Sequence, residues 1–243
     1  MTAPQPGADH NGSRKAPRIV AHRGASKAAR ENTIEAFTLA RTLGAAMVEL
    51  DVRRTSDNAL AVHHDPSIDG IPIVTMTRSE LPSWVPLLHE ALDACEGMDV
   101  NIEIKNDESE PDFDPSRSLS KAVVKLLDDR GDAARMLVSS FDRDTIRAVR
   151  GLDPTLRTGY LFTVPTLPLD EFFSGLADEG HVAIHPHRFA SSAEIVAAAH
   201  KVGLEVNTWT VDNPEEMLRL AANGIDSVIT NRPDVAVTAF ASL

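Results

Sequence analysis

The chain has 243 residues, with 36 Asp and Glu against 24 Lys and Arg, a formal net charge of −12 and a pI near 5.1. That sign excludes a general nucleic-acid binder and an electrostatic membrane anchor, both of which need a basic surface. It leaves room for a small anion only where a local positive or metal site overcomes the field. A hydrophobic share of 42% with 25% charged residues is that of a soluble globular protein, so disorder is excluded for the bulk of the chain. The single cysteine, Cys95, permits no intrachain disulfide. No run approaches the roughly 18 apolar residues of a membrane span. Residues 1–17 carry no apolar h-region and read as a disordered tail, so a cytoplasmic location is expected.

From residue 18 the texture is uniform. Residues 18–22 form a short apolar run ending in His22-Arg23-Gly24, a strand and a turn. Ile34, Phe37, Leu39 and Ala40 stand at helical spacing within 32–43, and Gly44 follows as a cap. Strands are predicted at 47–53 and 59–64, a helix at 87–95, a strand at 100–104 and a helix at 116–129. A strand at 136–139 and a helix at 142–150 capped by Gly151 come next. Strands at 158–162, 182–184, 205–210 and 227–230 then alternate with helices at 169–176, 193–201, 214–222 and 234–240.

This is β and α in alternation about eight times, which builds a parallel sheet with helices outside. A doubly wound open sheet and a closed (β/α)8 TIM barrel compete. The count and the length favour the barrel, and no Gly-x-Gly-x-x-Gly follows the first strand. No boundary is visible after residue 18, so residues 18–243 are expected to form a single barrel domain.

A barrel places its active site at the C-terminal ends of its strands. Those ends here carry His22-Arg23, Glu49-Leu50-Asp51, His63-His64-Asp65, Glu103-Ile104-Lys105, Ser139-Ser140, His185-Pro186-His187, Asn207-Thr208-Trp209 and Thr230-Asn231-Arg232. Glu49 and Asp51 are two apart, so they share one strand face and point into the mouth. Carboxylates so close stay ionised only with a cation between them. Glu103 on the neighbouring strand is a natural third ligand, and all-oxygen ligation suits Ca²⁺ or Mg²⁺. The competing explanation pairs these acids with Arg23, Arg53 or Lys105 as buried ion pairs.

His22 and one of His63 and His64 supply imidazoles for general acid and base work; periodicity does not choose between the adjacent pair. Arg23 and Lys105 offer positive charge to a phosphate. Trp209 walls an apolar pocket or simply packs the barrel. The acidic stretch 107–114 reads as a solvated connection.

These pieces, in order, resemble the glycerophosphodiester phosphodiesterases: His22-Arg23-Gly24, Glu31-Asn32-Thr33, Glu49-Leu50-Asp51, His64-Asp65-Pro66 and Glu103-Ile104-Lys105, followed by Val138-Ser139-Ser140-Phe141, Asn207-Thr208-Trp209-Thr210-Val211 and the stretch Gly224-Ile225-Asp226 through Arg232-Pro233. The resemblance runs from Ile19 to Val235. It implies a TIM barrel that hydrolyses small-molecule glycerophosphodiesters to an alcohol and glycerol 3-phosphate. It implies Ca²⁺ or Mg²⁺ on Glu49, Asp51 and Glu103, His22 and His64 as the acid–base pair, Arg23 and Lys105 on the phosphate, and Trp209 along the organic part. It selects His64 because that residue directly precedes Asp65. The chain departs from the family in a shorter segment at 70–86, in Asn231 where many relatives carry Asp, and in His63 where an apolar residue is common. Two other functions compete. One is lysophospholipase-D-like cleavage, marked by an apolar rim for which Trp84, Phe162 and Phe189 are candidates. The other is a non-catalytic barrel that binds metal and phosphate.

Overall fold

A computed structural model describes residues 16–241 and 243. Most of the expected tail therefore lies outside the described residues. Its last two residues are seen, Pro17 buried and Ala16 packed on the core.

The elements run β1 (Arg18–His22), α1 (Ile34–Thr42), β2 (Met47–Arg54), β3 (Leu60–Val62), β4 (Ser67–Ile68), β5 (Ile71–Pro72), α2 (Leu88–Ala94), β6 (Asp99–Ile104), α3 (Ser118–Arg130), β7 (Met136–Ser140), α4 (Arg143–Leu152), β8 (Arg157–Phe162), α5 (Leu169–Asp178), β9 (Ala183–Pro186), α6 (Ala193–Lys201), β10 (Glu205–Thr208), α7 (Pro214–Asn223), β11 (Ser227–Thr230) and α8 (Pro233–Phe240). Eight of these strands pair in parallel in the order β1-β11-β10-β9-β8-β7-β6-β2, and β1 pairs β2 to close the ring. The expected (β/α)8 barrel is the observed fold. β3 is no barrel stave: it folds back antiparallel on the end of β2 and extends that strand above the rim.

Strand parity builds the barrel. Val48, Leu50 and Val52 face outward into an apolar layer shared with α1–α4, while a second layer joins β8–β11 to α5–α8. The lumen is filled by Val20, Met47, Leu137, Ala183 and Ile229. Two local details differ from the sequence reading. Gly151 lies inside α4 rather than capping it, because the chain holds its helical turn until the Asp153 N–H bonds the Val149 carbonyl. The stretch 66–86 contains the small β4–β5 hairpin and two single 3₁₀ turns.

The β1–α1 turn is tied down closely. Arg23, Gly24 and Asn32 all have positive φ. A Cβ on Gly24 would stand 2.7 Å from the backbone carbon and Cβ of Ala36, so only glycine lets this turn sit on α1. The Thr33 hydroxyl accepts from the Ala36 N–H and caps the helix.

Candidate active site

Register aligns His22 with Glu49, and Asp51 with Glu103. At the C-terminal end of the barrel these residues open onto a cleft of about 50 Å³ lined by His22, Arg23, Glu49, His64, Asn101, Glu103, Lys105, Phe141, Leu161, Trp209 and Ile229. A larger cavity at the opposite end, among Arg18, His200, Glu205 and Asp226, holds no cluster of carboxylates.

Glu49, Asp51 and Glu103 are all buried, and one oxygen from each lies within 4.8 Å of the others. The Arg23 N–H donates to Glu49 Oε2 at 2.9 Å, and Asn32 Nδ2 donates to Asp51 Oδ2 at 2.8 Å. Lys105 Nζ bridges Asp51 at 3.0 Å and Glu103 at 2.6 Å, and Arg23 Nε stands 3.3 Å from Asp51. The ion pairs that the sequence offered as a competing explanation are therefore present, but Arg53 takes no part in them. Three carboxylates against two cations leave the cluster one negative charge in excess, and Glu49 Oε1 has no partner at all.

Protonation follows that imbalance. Burial, and then the charges of Asp51 and Glu103, push Glu49 well above the usual carboxylate range. Burial also raises Glu103, against the pull of Lys105. At Asp51 burial is outweighed by Lys105 and Arg23, which hold the carboxyl below its ordinary value. A hard cation set among the three would relieve both the repulsion and the idle oxygen, so this donor set fits Ca²⁺ or Mg²⁺.

The two histidines meet at this cleft. His22 Nδ1 is 2.7 Å from Asn231 Oδ1, and its Nε2 is 3.9 Å from Glu49 Oε2. Burial, and then the Arg23 charge, lower His22 to about 4. His64 Nδ1 pairs with Asp65 Oδ1 at 2.8 Å, which leaves Nε2 to the cleft. His63 turns away and lies 5.7 Å from the Trp84 ring. Trp209 donates from Nε1 to the His185 carbonyl at 2.7 Å and packs edge-on against Phe141 and His187.

Several participants escaped sequence reasoning. The stretch 107–114 is not merely a solvated connection. Its Glu110 and Asp112 bind Arg53 Nη1 at 2.9 and 2.7 Å, and Arg53 Nε and Nη2 in turn donate to the His64 carbonyl at 2.8 and 2.6 Å. Asp114 accepts from the N–H groups of Ser116 and Ser118 at the start of α3. Asn32 and Asn231, which the family pattern included without a role, bond Asp51 and the His22 imidazole, and Asp212, which no motif singled out, holds Asn231 in place. Of the three rim candidates, Phe162 is buried and Trp84 is covered by Arg30 and His63, leaving Phe189 at 76% exposure. Phe141, which the sequence placed in the Val138-Ser139-Ser140-Phe141 motif without a role at the rim, is 40% exposed.

A parallel barrel with acids, imidazoles and cations converging at its C-terminal mouth is the architecture of a phosphoryl-transfer or hydrolytic enzyme. Comparison narrows it: the Glycerophosphoryl diester phosphodiesterase family profile matches residues 22–235, and the chain belongs to that family. It is 30% identical to a glycerophosphodiester phosphodiesterase of Caldanaerobacter subterraneus subsp. tengcongensis, over 90% of this chain and 96% of that one. It is 28% identical to one of Bacillus subtilis, over 89% and 84%. Among solved structures, a glycerophosphoryl diester phosphodiesterase assigned in Silicibacter pomeroyi superposes with a TM-score of 0.84 at 26% identity, covering 93% and 94% of the two chains. A phosphodiesterase from Oleispira antarctica, in complex with the product sn-glycerol-3-phosphate, shares the fold with a TM-score of 0.82 at 24% identity, covering 92% and 96%. Among the described residues, no helix is long and apolar enough to cross a membrane.

Proposed function

We propose that this enzyme hydrolyses glycerophosphodiesters to glycerol 3-phosphate and an alcohol, with His22 and His64 as the acid–base pair. The observation that carries the reading is that two imidazoles, each tied through Nδ1, border one cleft with a buried carboxylate trio and two cations.

Glu49, Asp51 and Glu103 would hold the divalent cation, Ca²⁺ or Mg²⁺. When bound, it polarises the phosphoryl oxygens and offsets the charge that develops on them. Arg23 and Lys105 flank the carboxylates and supply donors to the same oxygens. His22 is neutral at pH 7 and keeps a lone pair on Nε2, which suits it to take the proton of the attacking hydroxyl, from water or from the substrate's own 2-hydroxyl. His64 then gives a proton to the alkoxide as the ester P–O bond breaks, so the alcohol leaves neutral. On the 2-hydroxyl route this leaves a cyclic glycerol phosphate, which water opens to glycerol 3-phosphate as His64 takes the water's proton and His22 returns one to the 2-oxygen. Trp209, Phe141 and Leu161 form an apolar wall for the carbon parts of the diester. Residues 18–243 would act as one domain. The buried free thiol of Cys95 suits the reducing cytoplasm that we propose as its setting.

The test is a panel of glycerophosphocholine, glycerophosphoethanolamine and lysophosphatidylcholine given to the wild type and to the His22→Ala and His64→Ala variants. The wild type should prefer the two glycerophosphodiesters, and each variant should lose about 10²–10⁴-fold in kcat. Undiminished turnover in either variant would refute the assignment, and a preference for lysophosphatidylcholine would turn the reading toward lipid cleavage.

A further inference from the structure

Asn101 stands on β6 two residues before Glu103, so both side chains enter the lumen, with Asn101 one step deeper. Its register partner is Glu49. It is 2% exposed and lines the catalytic cleft, yet neither its Nδ2 nor its Oδ1 has a hydrogen-bond partner. Other amides of this barrel are engaged: Asn32 with Asp51, Asn106 with Asp114 and Asp142, Asn231 with His22 and Asp212. A buried amide with donor and acceptor both idle is costly and unusual in a folded protein, so its placement calls for a ligand.

The surroundings indicate which chemistry. β6 lies between β2, which carries the charged wall, and β7, which leads into Phe141. The cleft is charged on one side, through Arg23, Glu49 and Lys105, and apolar on the other, through Phe141, Leu161, Trp209 and Ile229. A hydroxyl both donates and accepts, so a buried amide offering both is its complement. A hydroxylated carbon chain can lay its C–H faces on the apolar wall and turn a hydroxyl down to Asn101, while its phosphate stays with the cations. In a glycerol phosphodiester the 2-hydroxyl is tethered beside the phosphate, and the terminal hydroxyl has the reach.

The geometry points to Asn101 as the binding residue for the terminal hydroxyl of the glycerol unit, and so as a determinant of the preference for glycerol diesters over diesters of propane-1,2-diol. This rests on the phosphodiesterase reading of the site and assigns to it a residue that the motifs do not.

The experiment compares glycerophosphocholine with its 1-deoxy analogue, in the wild type and in Asn101→Leu, a substitution close to isosteric. The analogue lacking the hydroxyl leaves a buried amide unpaired, so the wild type should prefer glycerophosphocholine by about 100-fold in kcat/KM. In Asn101→Leu that preference should collapse to within about 3-fold, a non-additive cycle. Calcium titration by calorimetry should give the same affinity for both proteins. A preference that survives the substitution, with the losses multiplying, overturns the proposal and assigns the amide to an ordered water. Weakened calcium affinity overturns it by making Asn101 a cation ligand. Asn101→Ser, smaller and still polar, should keep an intermediate preference, and it supplies the reading if the leucine variant does not fold. A wild type inactive on both diesters refutes the phosphodiesterase reading and the proposal with it, whereas multiplying losses in an active enzyme refute the proposal alone.

Discussion

Asn231 Oδ1 stands 2.7 Å from His22 Nδ1, and Asp212 decides that it is the oxygen which faces the ring. Asp212 accepts from Asn231 Nδ2 at 2.7 Å and from the Asn231 backbone N–H at 2.8 Å, so the amide oxygen is left for the imidazole and for the Ser26 hydroxyl at 2.8 Å. His22 therefore carries its proton on Nδ1 and keeps Nε2 as a lone pair. Asn231→Asp replaces a neutral acceptor with a negative one. It should raise His22 from its depressed value of about 4. Because the unprotonated imidazole is the working form, the acidic limb of kcat/KM should move upward by about one pH unit or more. An acidic limb that stays in place would contradict the role given to His22.

Cation binding should release protons. Glu49 is pushed above the usual carboxylate range by burial and then by Asp51 and Glu103, and only its ionised form ligates a metal. Calcium affinity should therefore fall as the pH falls. Calorimetry in two buffers of different ionisation enthalpy should reveal proton release that grows as the pH is lowered across the range in which the protein stays folded. Heats that do not depend on the buffer over that range would mean that the trio is already fully ionised without the cation.

The fold was legible in the sequence where periodicity is strong. Alternating parity on β2 put Glu49 and Asp51 inside and Val48, Leu50 and Val52 outside, as observed. The choice of His64 over His63 needed the family pattern, because adjacent residues beyond the short β3 follow no strand parity. The acidic loop was misread because a loop has no period. Glu110 reaches Arg53 across 57 positions, and nothing local announces that contact. Asn231 stood at a strand end, but the direction of its amide depends on Asp212, which no motif singles out.

Arg53 illustrates the hidden part. Its side chain is 1% exposed and links the His64 carbonyl to Glu110 and Asp112. Arg53→Met should strand Asp112 and lower stability by about 3–5 kcal/mol in urea unfolding. It should also loosen His64 and cut kcat by about 10–100-fold with calcium affinity retained. Stability and turnover both near wild type would show that the loop is dispensable.

Gly24 belongs to the His22-Arg23-Gly24 motif for steric reasons. Gly24→Ala places a methyl group 2.7 Å from Ala36 at a φ of +81°. The expected loss is about 2–3 kcal/mol in urea unfolding. A loss under about 0.5 kcal/mol would mean that the turn can open away from α1 at little cost.

The central claim is that a cation held by Glu49, Asp51 and Glu103 works with His22 and His64 to cleave the alcohol from a glycerophosphodiester. Phosphorus NMR of purified protein with sn-glycero-3-phosphocholine tests it most directly, first in EDTA and then after calcium or magnesium is restored. The account predicts an unchanged diester in EDTA, and its conversion to glycerol 3-phosphate and choline once the cation returns. Cleavage at an undiminished rate in EDTA, or the release of phosphocholine and glycerol instead, would contradict it.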